Sequence, residues 1–441
     1  MRNVAASQPA PRMPRLLSCC VFAAFATSSI VMVEPAPCDL LFILTACVAL
    51  LSGHAPIAMR SGIAVTIAAL AFLAISTGSM MLAYKVGATV RFQGITIYVL
   101  LCFGIVTALI ERYGVAFLRV AWAGLLFTLI LTSMIGLLAH YRLLPNSQIF
   151  FRDDSGLRVK STFKDPNVFG PFLAMGATVL FGEMLRHAKL GAARLGAFGL
   201  CCYLLLLSFS RGAWINFAAG MAVFVAIALT IRQQRVLLSR LLRIAVVLGL
   251  IGVPVLGYML VQTDLFHYLE SRLSLQSYDS ERFGSQARAL DLATVEFFGI
   301  GPGQWVDTRF GIATHNLYLR VLAESGWLGL ASFGAFILTC VAAGWQGLRH
   351  RSPYSIWYAG ALAVIAGTLL ESVVIDTLHW RHFFWFLALP VGLLAYERRI
   401  AAAGEYTPET VIQRDTLGDD AIRNEATPES RFPAAPRQAT S

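Results

Sequence analysis

The chain has 441 residues, of which 57% are hydrophobic and 14% charged, with a formal net charge of +10. A soluble domain carries about 25% charged residues, so a single water-soluble globule is excluded. The positive charge does not call for nucleic acid, because basic residues beside membrane spans set orientation and meet anionic headgroups.

Arg2, Arg12 and Arg15 precede the first apolar run, as in a signal peptide. No A-x-A site follows and further apolar runs do, so this run reads as an uncleaved first helix behind a cytoplasmic segment 1–15. A membrane-crossing helix needs about 20 apolar residues. Runs near 16–33, 38–53, 62–84, 94–110, 115–139, 168–185, 191–209, 212–231, 241–262, 314–343, 356–374 and 381–396 read as twelve transmembrane helices within 16–397. They lack the two-residue alternation of barrel strands, so the fold class is all-α and polytopic. The alternate connections hold Arg60, Arg112, Arg186/Lys189/Arg194, Arg232/Arg235/Arg240/Arg243 and Arg349/Arg351, and Arg398/Arg399 follow the last run. The positive-inside rule puts these in the cytoplasm, with both termini. The two longest connections, about 140–167 and 263–313, then face the periplasm. The segment 398–441 turns polar and charged and reads as a disordered cytoplasmic tail. Eight cysteines lie mostly in apolar runs without metal-ligand spacing and read as small membrane-embedded side chains. No repeat of one half in the other is seen, which weighs against a two-fold transporter.

The first outer connection ends Arg158-Val-Lys160-Ser161-Thr162-Phe163-Lys164-Asp165-Pro166-Asn167. Pro166 suits a helix's first turn and Asp165 its cap, and the helix start with Arg158, Lys160 and Lys164 suits an anion. A capped helix beside a solvated basic loop is the plain alternative. Arg211, in the short turn Ser208-Phe209-Ser210-Arg211-Gly212, sits at the membrane boundary. It either snorkels to headgroups or holds a phosphate with its planar fork. The second outer connection carries Asp279-Ser280-Glu281-Arg282-Phe283, an amphipathic stretch through Arg288 and Leu290, then Gly299-Ile300-Gly301-Pro302-Gly303, and His315-Asn316 at the next helix. The glycine-rich segment lacks the GK[ST] of a phosphate loop and reads as a tight turn. His315 is either structural or a base that takes a proton from a hydroxyl near neutral pH. Arg320 and Glu324, four apart, share a helix face and read as an ion pair. Glu371, Asp376, His379, Trp380, Arg381 and His382 crowd the turn before the last helix and carry no catalytic assignment, with a contact to sugar or lipid as the alternative.

In combination these motifs resemble the O-antigen ligase and polysaccharide polymerase family, whose members move glycans from an undecaprenyl diphosphate carrier. The matching pieces are Ser161-Thr162-Phe163 with Asp165-Pro166-Asn167, Ser210-Arg211-Gly212, Arg282 ahead of Gly299-Ile300-Gly301, and His315-Asn316 followed by Glu324-Ser325-Gly326. The resemblance runs from about Arg158 to Leu330 and outlines a core at about 158–345. Two departures stand out: Ser161 occupies a position that is glycine in many relatives, and a tryptophan often found after the loop arginine is missing.

The resemblance implies a multi-spanning glycosyltransferase that uses neither metal nor cofactor. His315, Arg282 and Arg211 are its catalytic candidates. Arg158, Lys160, Lys164, Asn167, Arg288 and Asn316 are candidates for binding diphosphate or glycan. The implied partners are the carrier-linked glycan, an acceptor that is the lipid A core or a growing glycan, membrane lipid, and other polysaccharide-assembly proteins. Ligation and polymerisation both stay open, with the late position of the large loop favouring ligation. A transporter or flippase of the same carrier is the rival from another class; charges gathered at the outer boundary weigh against it.

Overall fold

The computed structural model describes residues 13–53, 62–152, 157–187, 191–230, 234–261, 267–268, 270, 277–305, 313–350 and 352–402. The described residues form thirteen α-helices: α1 (Arg15–Ala26), α2 (Pro37–Leu51), α3 (Ile63–Ser79), α4 (Val86–Tyr113), α5 (Val115–His140), α6 (Pro166–Arg186), α7 (Ala192–Leu207), α8 (Arg211–Thr230), α9 (Gln234–Val261), α10 (Ser277–Val295), α11 (Leu317–Arg349), α12 (Ser355–Glu371) and α13 (Arg381–Ala402). Among these residues the one β-like contact outside named strands is an antiparallel bridge between Phe151 and Val159. A bilayer offers no water to backbone amides, and helices satisfy them internally.

Six stretches are long and apolar enough to cross a membrane: Ile63–Leu82, Val86–Tyr113, Val115–His140, Pro166–Arg186, Arg211–Thr230 and Leu317–Arg349. The apolar helices α1, α2, α7 and α12 are shorter, at 12 to 17 residues. Several edges differ from the expected runs for local reasons. The first run stops at Ala26 because the Thr27 and Ser28 hydroxyls bond back to Ala23 O at 2.9 Å and Phe25 O at 2.7 Å, competing with the ladder. Arg240 and Arg243, expected in a connection, lie on α9, since arginine is a good helix former. Arg398 and Arg399 lie on α13, which runs to Ala402. The expected tail beyond it, the segment 1–12 and much of 263–313 fall outside the described residues.

Helix α6 is the most enclosed of the six stretches, and its glycines explain how its neighbours approach. A Cβ at Gly176 would stand 2.5 Å from Leu129, and one at Gly170 would stand 2.7 Å from Ala213. Around it α12 packs on α8, α13 on α4, α11 on α3, and α1 on α5. Leucine, isoleucine and phenylalanine side chains such as Leu40, Ile67, Leu101, Phe127 and Leu250 point outwards, as a lipid solvent requires.

The two ends of the bundle differ. At one end cations cover helix carboxyl termini: Arg240 donates to Leu185 O at 2.6 Å, and Arg399 donates to Arg112 O at 2.7 Å. At the other end the amino termini of α6, α8 and α11 meet the carboxyl terminus of α12 and helix α10.

The glycine-rich segment docks between these helices. Helix α11 breaks at Gly326, whose φ is +70°, and Trp327 N there donates to Phe297 O at 3.1 Å. Ile300 N and Gly301 N donate to Ala323 O and Glu324 O at 3.0 and 2.9 Å. Gln304 then clamps Lys85, accepting from its N–H at 2.8 Å and donating to its carbonyl at 2.9 Å. Gly299, Gly301 and Gly303 all have positive φ, so the segment is the tight turn expected of it.

Candidate active site

At the end where α6, α8 and α11 begin, a cavity of about 540 Å³ opens. Its wall contains Arg152, Arg158, Asp165, Asn167, Ser210, Arg211, Arg282, Gln286, His315 and Glu371, with Gly212, Phe283, Ile215, Val374 and Ile375.

Each polar group is placed by its own element. Asp165 caps α6, accepting from Asn167 N at 2.7 Å, and lies 3.6 Å from Arg152. Arg158 donates to Asn167 Oδ1 at 3.1 Å and to Ser208 O at 3.4 Å, which fastens the connection between α5 and α6 to the turn before Arg211. Arg211 is the first residue of α8. Arg282, Phe283 and Gln286 lie on one face of α10. Asn316 caps α11 by accepting from Leu319 N at 3.0 Å, and its amide donates to Val373 O at 3.0 Å. His315 stands just before that cap. Glu371, fully buried at the end of α12, accepts from Asn216 Nδ2 at 2.7 Å, while its Oε1 has no hydrogen-bond partner among the described residues.

Five non-glycine residues of these connections have left-handed backbone: Arg142, Asn146, Ser161, Phe209 and His315, with φ of +57°, +53°, +48°, +47° and +47°. Each such residue costs about 1–2 kcal/mol, a cost that turns bearing functional groups commonly carry. The φ of Ser161 is one that glycine adopts freely. Its hydroxyl donates to Thr132 O at 2.6 Å, a bond glycine lacks.

The electrostatics favour an anion beside a neutral imidazole. Four guanidinium groups share the cavity with two carboxyl groups. Burial first, and then the positive charge of Arg282, hold His315 below the ordinary histidine value; Arg320 adds to this, and Asp376 and Asp165 oppose it. His315 is therefore unprotonated near neutral pH. Behind it Arg320 pairs with Asp376 and with Glu324 at 3.4 Å, and its guanidinium lies 3.8 Å over the Phe92 ring. Burial works against the Asp376 charge, but Arg320 beside it holds the carboxyl below the usual carboxylate range. Burial and Arg320 push His379 down to about 3, and its Nε2 meets Thr96 Oγ1 at 3.1 Å.

The cavity thus gathers Arg158, Asn167, Arg211, Arg282 and His315 from the sequence-derived candidates. It does not gather four others. Lys164 pairs with Glu34 at 2.8 Å, Arg288 is exposed on α10, and Lys160 lies outside the cavity wall. Asn316 spends both ends of its amide on α11 and the α12 carboxyl end, which makes it a structural cap. Sequence reasoning missed Arg152 and Gln286, and it named Glu371 without a catalytic assignment. Arg152 carries no motif, and only the bridge of Phe151 with Val159 brings it beside Arg158. Gln286 falls one turn after Arg282, a spacing that would have found it.

No group of three or more metal-ligating side chains occurs among the described residues. No curated protein matches the chain. The family model described as O-antigen ligase matches residues 196–334. That stretch runs from α7 to the first half of α11 and supplies Arg211, Arg282 and His315, and over it the chain is similar to the O-antigen ligase family.

Proposed function

We propose that the protein is a twelve-span bacterial inner-membrane glycosyltransferase whose cavity faces the periplasm and transfers a glycan from undecaprenyl diphosphate to the lipid A core. The observation that carries this reading is the convergence of Arg211, Arg282 and His315, from three separate elements, on one cavity beside the buried amino end of α6. The basic groups Arg112, Arg186, Arg240 and Arg399 gather at the opposite end, which the positive-inside rule assigns to the cytoplasm.

In this mechanism the acceptor hydroxyl oxygen attacks the anomeric carbon as the bond from that carbon to the diphosphate oxygen breaks. The electron pair of that bond leaves with the undecaprenyl diphosphate, whose growing charge Arg211, Arg282 and Arg158 stabilise. His315 takes the hydroxyl proton, and direct attack inverts the anomeric configuration. Loss of one charge-stabilising donor costs on the order of 2–4 kcal/mol of transition-state stabilisation. The arginines supply the countercharge that a divalent cation gives in other phosphate sites.

The test is the glycan profile of a deletion strain complemented with wild type or His315→Ala. Full-length glycan stranded on the carrier supports ligation. Accumulated single repeat units would instead assign the polymerase reaction to this cavity. Normal profiles with a folded His315→Ala protein would remove the histidine from the mechanism.

A further inference from the structure

The transferase reading requires Arg282 and His315 at a fixed separation, yet they come from different elements. Arg282 stands on α10, and His315 stands in the connection that enters α11. Two hydrogen bonds join these pieces. Gln286, one turn after Arg282, donates from Nε2 to Thr314 O at 3.2 Å, the carbonyl directly before His315. On another face of α10 the Ser285 hydroxyl accepts from Trp305 Nε1 at 3.2 Å.

Trp305 is itself fixed. It is 1% exposed and packs with Ala289, Ile300 and Ala323, and its backbone N–H donates to Glu324 Oε1 at 3.3 Å. Ser285, Ala289 and Ala293, at helical spacing, form a buried small-residue face that lets α10 lie close to α11. Trp327 Nε1 closes the far end of that contact on Ala293 O at 3.0 Å.

We infer that Gln286 and Trp305 are positioning residues for the transfer reaction: Gln286 locks the His315 turn to the helix that carries Arg282, and Trp305 fixes the roll of that helix on α11. The inference rests on the transferase reading of the cavity. Neither residue need touch the reacting atoms. A shift of about 1 Å at a reacting pair costs up to about a hundredfold in rate, so two weak bonds that do not touch the reacting atoms still matter. The charged groups that face His315 are Arg282, Asp165, Asp376 and Arg320, and Arg282 comes next after burial in setting its proton affinity. If α10 drifts, the Arg282 field at His315 weakens and the imidazole takes up its proton at higher pH.

The test uses full-length protein in lipid nanodiscs, the glycan-linked carrier that accumulates in a deletion strain, and the acceptor lipid from the same strain. Gln286→Met keeps the side-chain length and removes the donor; Trp305→Phe keeps an aromatic ring and removes its N–H. Both variants are expected to lose about tenfold or more in kcat with KM within about twofold of wild type. The acid limb of their rate profile should also move to higher pH. A lower rate with the wild-type acid limb would mean fewer folded molecules and would overturn the inference, as would unchanged rates. If Gln286→Met does not fold, Trp305→Phe decides by the same readings. A wild-type protein that transfers nothing defeats the transferase reading itself, whereas an active wild type with unshifted variants defeats only this inference.

Discussion

Gly326→Ala is a substitution the fold should tolerate badly. At Gly326 the backbone has a φ of +70°, and an added Cβ would lie 2.2 Å from Phe297 O and 2.7 Å from Phe298 Cα. The left-handed conformation alone costs alanine about 1–2 kcal/mol. The neighbours are backbone atoms that cannot swing aside, so the glycine-rich turn must move off the break in α11. That motion loosens the bonds from Trp327 N to Phe297 O and from Ile300 N to Ala323 O, each worth about 1 kcal/mol. The total is about 3–4 kcal/mol, and the loss spreads to Trp305 and α10. Melting of purified protein in detergent measures the first effect, and carrier-glycan transfer measures the second. A variant with a wild-type melting curve and wild-type transfer would refute the claim that this break seats the turn.

The Arg381 guanidinium meets the Asp39 carboxylate from α13 to α2, with one contact of 2.6 Å, and neither is more than a fifth exposed. Arg381→Met should therefore destabilise by about 3 kcal/mol, and Asp39→Asn in the same chain should recover much of it, as measured by melting. His315 is held below the ordinary histidine value, so its neutral form predominates at pH 6.5, and the acid limb of kcat/KM should lie below that pH. The unfolded chain binds this proton more readily, so His315 removes stability as the pH falls from 6.5 towards its folded value, and His315→Gln should flatten that part of the melting profile. Dialysis against EDTA should leave transfer unchanged if arginines supply the countercharge; activity lost and then restored by a divalent cation would contradict this.

Much of the candidate cavity was legible because its polar residues sit at helix ends. Asp165-Pro166 announces the start of α6, Asn316 the start of α11, and the short turn at Ser208–Ser210 leaves Arg211 no place but the boundary. The Arg320 and Glu324 pair follows from helical spacing alone, although its third member, Asp376, comes from another connection and no local pattern points to it. What sequence could not give was the direction of side chains within a loop. Lys164 and Arg158 stand six residues apart in one basic run, yet Lys164 turns to Glu34 near α2 while Arg158 turns into the cavity. Asn316 looked like a ligand-binding amide because it follows His315, but its two hydrogen bonds commit it to holding α11 on α12. Helix edges moved for similar reasons: apolar runs mark what lies in lipid, whereas Thr27 and Ser28 decide where the ladder stops.

The most direct measurement is transfer by purified wild type, His315→Ala and Arg282→Ala in nanodiscs, with the carrier-linked glycan and acceptor as the only substrates. The account predicts product with inverted anomeric configuration from wild type and at least a hundredfold loss, roughly, from either variant, with wild-type melting. Wild-type rates from both folded variants would contradict it.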